Sequence, residues 1–196
     1  MSGINLNGSE FDGGQAIFNG GKSGVADNVT LSVTKKDASD TSRNPDYNFV
    51  FTDTAGQTVR KAVWLNDPTS EYFDKNVIRD GKIFKHVLKV LMGENFQLPV
   101  FADHVAMTNE CMALIAKNCK DKQLAVFCNY GSASNPNKYL SVRSFTPFVT
   151  KAGVDSEKLV ATPYDSMERP QASEAVSESS YGDTSDAVTD GKDPWS

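Results

Sequence analysis

The stretch DYNFVFTDTAGQTVRKAVWL, residues 46–65, decides how the chain is read. Tyr47, Phe49 and Phe51 alternate with Asn48, Val50 and Thr52, the period of two that belongs to a strand. Asp53-Thr54-Ala55-Gly56 then places Asp and Gly where a four-residue turn wants them. Val59, Val63 and Leu65 resume the alternation, so the stretch reads as a hairpin of two strands. Periodicity alone leaves open which face of residues 46–53 is buried.

Working outward, residues 28–36 alternate Val29, Leu31 and Val33 with Thr30, Ser32 and Thr34, a strand before the hairpin. After it, Ile83, Phe84, Val87, Leu88 and Leu91 recur at spacings of three and four and stop at Gly93, which predicts an amphipathic helix with a glycine terminator. A second helix is expected over 109–118, with Met112, Ile115 and Ala116 on one face. Extended segments return at 122–129 and 138–149, joined by a link rich in Gly, Ser, Asn and Pro. Three strands, a helical insertion and two strands predict a mainly β, α+β fold: a five-stranded OB-like Greek-key barrel with helical material between strands three and four.

Charge divides the chain unevenly. Of its net −5, residues 154–196 hold ten acidic side chains against three basic ones, which leaves residues 1–153 at +2. The expected organisation is a Gly-rich arm over 1–27, an OB-like domain over 28–153, and an acidic, disordered tail over 154–196, too poor in apolar groups to fold. No apolar run approaches a membrane span, and no secretory leader is visible at the amino end. Cys111, Cys119 and Cys128 lack metal-ligand or disulfide spacing, so no metal or other cofactor is expected, and a soluble protein of a reducing cytoplasm is.

Enzyme signatures are absent: the chain has no P-loop, nucleophile elbow or HExxH motif. His104 with Asp103 and Glu110 is the one place where scattered residues could assemble a site, and the chain is read as not an enzyme. The positive signal is aromatic and basic residues interleaved on strands, the combination that binds single strands through stacked bases and neutralised phosphates. If Val59, Val63 and Leu65 face inward, Arg60 and Trp64 face outward. By the same parity Phe127, Tyr139, Arg143 and Phe145 face outward, while Lys35, Lys36, Arg43 and Lys61 are candidate phosphate contacts. Tyr47 and Phe49 join the candidates should their face be the outer one. The competing expectation for each aromatic is a second small core beneath the arm or the helices.

The tail closes on Asp190-Gly191-Lys192-Asp193-Pro194-Trp195-Ser196, a lone Trp among acids, which suits an anchor for a basic-rimmed partner. An OB-like order followed by an acidic tail with an aromatic tip resembles single-stranded DNA-binding proteins of bacteria and bacteriophages, and Asp193-Pro194-Trp195 is similar to their terminal docking peptide. The chain departs from that pattern in carrying Trp in place of Phe and a further Ser. The resemblance implies a protein of the cytoplasm, the host's if viral, that coats single-stranded DNA in replication, recombination and repair. It also implies that Asp190, Asp193, Pro194 and Trp195 recruit partner enzymes, and it allows a homo-oligomer. The rival expectations are a virion-type structural or assembly protein that binds no nucleic acid, and RNA in place of DNA as the ligand.

Overall fold

The computed structural model describes residues 17–170. It is a mixed α+β structure whose six strands form an open antiparallel sheet: β1 (Gly24–Lys35), β2 (Tyr47–Thr52), β3 (Thr58–Val63), β4 (Leu124–Ser132), β5 (Asn135–Val142) and β6 (Val149–Lys151). Helices α1 (Phe73–Met92) and α2 (His104–Asn118) lie between β3 and β4 in sequence, where the helical insertion was expected. The spatial order is β3-β2-β1-β4-β5, with β6 also paired to β4.

The hairpin at 46–65 forms as read, with Phe49 opposite Lys61 and Phe51 opposite Val59. β1 serves both halves of the sheet: residues 30–35 pair with β2, and residues 24–29 pair with β4. The register shifts between Ala26 and Val29, and Asn28 there takes φ 57°, a left-handed conformation that Asn tolerates better than most residues. Gly131 in the β4–β5 hairpin has φ 84°, and a Cβ there would lie 2.8 Å from the Asn135 carbonyl oxygen, so glycine is required by space as well as by torsion.

α1 repeats Asp80, Ile83, Phe84, Val87, Leu88 and Leu91 on one buried face, and Gly93 ends it as the sequence predicts. It starts earlier than the apolar pattern does, because its first two turns carry mostly exposed side chains. α2 also starts early, at His104, where the Asp103 carboxylate accepts from the Ala106 amide at 2.8 Å and caps the helix. Both helices pack on one face of the sheet around Phe49, Phe51, Phe84, Met112, Ile115, Leu124 and Phe148, all fully buried.

Three sequence expectations are corrected. Residues 138–149 are not one strand: β5 stops at Val142, and β6 begins afresh at Val149 against the other half of the same edge of β4. The arm assigned to 1–27 loses residues 24–27 to β1. The folded body does not end at 153, because Gly153–Lys158 form a short 3-10 turn, Leu159 and Asp165 are buried, and Met167 packs against Phe127. Apolar content alone missed this segment, since it is anchored by backbone pairing and one ion pair rather than by a hydrophobic run.

Candidate nucleic-acid interface

The two ends of the strand path, β3 and β5, approach each other at a seam. Lys61 bridges it: its ammonium donates to the carbonyl oxygens of Arg143 (2.8 Å) and Ser144 (3.2 Å) and lies 4.8 Å from the Phe148 ring centre. Burial, followed by the nearby charge of Arg79, pushes the Lys61 amine down to about 8. Lys61 was expected to meet phosphate. The structure commits it to the seam, as its inward parity with Val59 and Val63 dictates.

Along that seam runs a groove. One part, about 250 Å³, is lined by Lys61, Trp64, Arg79 and Asp80. It shares Arg79, Ile83 and Ser144 with a wider part of about 730 Å³, lined also by Lys75, Ile78, Lys82 and Phe145. Phe145 and Ser144 continue into a third part of about 670 Å³ that reaches Tyr164. Trp64, Phe145 and Tyr164 are thus spaced along one channel whose charged lining is Lys61, Lys75, Arg79, Lys82 and Asp80 among the described residues. Such a channel combines aromatic faces with a cationic wall, the two elements single-strand binding requires.

Of the residues nominated from the sequence, Trp64 and Phe145 line this groove. Arg60 is exposed on β3, with the same parity as Trp64, and lines a separate basin of mixed charge beside the 36–46 loop with Lys35, Lys36, Asp37, Asp40 and Asn48. Arg43 is exposed in that loop, and Tyr139 is 71% exposed on β5 beneath the Lys138 ammonium. Tyr47 and Phe49 belong to the core, because the Tyr-Phe-Phe face of β2 is the one that meets the helices; the Tyr47 hydroxyl donates to Asn109. The sequence missed Lys75, Arg79 and Lys82, whose spacings of four and three put three cations on one face of α1, a legible signal. It missed Tyr164 for lack of any periodic context.

Phe127 and Arg143 point away from the main core, as parity predicts, but their surface is covered. Phe127 is 1% exposed beneath Leu159 and Met167, the second small core that was the alternative for each aromatic. The Arg143 guanidinium stacks 3.7 Å from the Phe127 ring centre and donates to Asp165 through Nε (2.9 Å) and Nη2 (2.6 Å). Its remaining bonds go to the carbonyls of Pro147 and Val160. Asp165 also accepts from Asn129, the Thr162 amide and the Thr162 hydroxyl. Burial works against its charge, but the bonds from Arg143, Thr162 and Asn129 outweigh it and hold its carboxyl below the ordinary value. Residues 164–166 then pair by backbone with 130–133 at the end of β4 and just beyond it, completing a strap over this surface.

His104 is buried beside Asp80 (3.4 Å), not with Asp103, which caps α2. The three cysteines are buried, and burial pushes the Cys111 and Cys128 thiols up to about 12. Among the described residues no helix is long and apolar enough to cross a membrane. Asp190, Asp193, Pro194 and Trp195 lie outside the described residues. No family model, curated protein or solved structure matches the chain.

Proposed function

We propose that this protein binds single-stranded DNA along the β3–β5 seam and protects it during replication, recombination or repair, without catalysing a reaction. The observation that carries the reading is the run of adjoining groove parts that holds Trp64, Phe145 and Tyr164, with Lys75, Arg79 and Lys82 lining the stretch between Trp64 and Phe145. Bases stack on the aromatic faces, and phosphates follow the cationic stripe of α1. The strand order, with β3 and β5 meeting after β1 pairs with β4, supports an OB-like barrel for the sheet, a fold whose β2–β3 face and neighbouring loops bind oligonucleotides. Arg60, Lys35 and Lys36 extend the surface toward that face. The acidic tail, with Trp195 at its tip, recruits the enzymes that act on the coated strand.

Fluorescence anisotropy of labelled oligo-dT, titrated at several salt concentrations, tests this. The expected result is saturable binding that weakens with salt by a log–log slope of about 0.7 per neutralised phosphate and quenches Trp emission. Indifference to the oligonucleotide at low salt, together with self-association into a defined particle, favours an assembly protein instead. Equal titrations with oligo-rU decide between DNA and RNA.

A further inference from the structure

Asp80 is the acid in a groove whose other charged lining residues are all cations, a place where a free carboxylate would repel phosphate. It is not free. Its Oδ1 accepts from Arg79 through Nε (3.1 Å) and Nη2 (3.0 Å), and its Oδ2 accepts from the Asn66 side-chain amide (2.8 Å), with His104 Nε2 at 3.4 Å. The Asp80 side chain is 8% exposed, while that of Arg79 is 54% exposed. A long exposed arginine is thereby pinned at its tip by a buried, immobilised neighbour.

The geometry leaves a defined edge of the guanidinium unused. Of five N–H donors, two are engaged by Asp80, and the other three have no protein partner among the described residues. An unpinned arginine would lose side-chain freedom on meeting a phosphate, whereas this one has lost it already.

We infer that Asp80 is a positioning residue for the strand: its buried carboxylate holds Arg79 side-on so that the free edge of the guanidinium presents paired donors to a phosphate. The inference rests on the single-strand reading above. A conflicting possibility is built into the chemistry, because removing a negative charge from a phosphate-binding groove ought by charge alone to tighten binding. The two views predict opposite signs for one substitution.

The test is the salt-dependent oligo-dT titration of the full chain with Asp80→Asn, Arg79→Ala, Arg79→Lys and the Asp80→Asn/Arg79→Ala double variant, with thermal melts alongside. Positioning predicts that Asp80→Asn weakens binding about tenfold, as Arg79→Ala does, and lowers the salt slope by about 0.7. The double variant should lose no more than either single change. Binding by Asp80→Asn that equals or exceeds the unaltered protein's, or additive losses in the double variant, overturns the proposal. Should Asp80→Asn fail to fold, Arg79→Lys decides, since it keeps an exposed charge but cannot take the side-on grip. A loss of severalfold supports positioning, and undiminished binding overturns it. Failure of the unaltered protein to bind oligo-dT is a separate result that defeats the functional reading and, with it, this one.

Discussion

Arg143 and Asp165 form a two-point ion pair, 2.9 and 2.6 Å, in which the two side chains are 1% and 0% exposed. Breaking such a pair leaves an uncompensated charge in the interior. Asp165→Ala is therefore expected to cost about 3–5 kcal/mol of stability, read by urea unfolding. A cost below about 1 kcal/mol would mean that water reaches Arg143. Because hydrogen bonds lower the Asp165 carboxyl in the folded state, the pair stabilises above the unfolded-state value and fades as pH falls through the folded one. Acid unfolding of the unaltered protein should accordingly be steeper than that of a variant lacking the pair.

The strap carries a second expectation. A chain ending at residue 170 keeps Leu159, Asp165 and Met167 and should melt with the full-length protein. One ending at residue 153 uncovers Phe127 and strands Arg143, so its melting temperature should fall by many degrees and it should bind a hydrophobic dye. Equal melting of the two would remove the strap from the folded unit.

Lys61 gives stability a pH slope of the same sign in an alkaline window. Its folded amine is lowered from 10.5 to about 8, so between those values the unfolded chain holds the extra proton and stability rises with pH. Lys61→Met lacks that proton. Urea unfolding at pH 7 and pH 10 should show the unaltered protein gaining on the variant as pH rises, and parallel behaviour would mean that the ammonium is well solvated.

Stacking should be separable from charge. Trp64→Ala is expected to cost about 1–3 kcal/mol of oligo-dT affinity with little change in salt slope. Lys75→Ala with Lys82→Ala should instead flatten the slope, by about 0.7 for each phosphate no longer neutralised. Identical effects from both sets would show that the groove does not divide its work between aromatic faces and charge.

Much of the fold was legible because its strands alternate cleanly. Val29-Leu31 and Val59-Val63 bury the apolar parity, with Val33 partly buried beside them, and α1 buries the 83-84-87-88-91 face read from the sequence. β2 was ambiguous for a physical reason: Val50, on the face opposite Phe49 and Phe51, is also nearly buried, so both faces look apolar. The candidate site was harder. Parity says which side of a sheet a residue leaves by, and it placed Phe127 and Arg143 on the correct side, but it is silent about what later folds over them. Asp165 and Tyr164 sit in a stretch with no period to read, and their role emerges only through partners more than twenty residues earlier or along the groove.

The Ser23 hydroxyl donates to the Met167 carbonyl oxygen. The first strand's approach and the strap's exit are therefore fastened at a single point, although 144 positions separate them. In mechanical terms, tension applied near both ends of the described chain is borne first by that fastening and by the strap's pairing with β4. In engineering terms, that fastening marks the place where the approach to the first strand and the strap's exit lie side by side and could be joined by a covalent link.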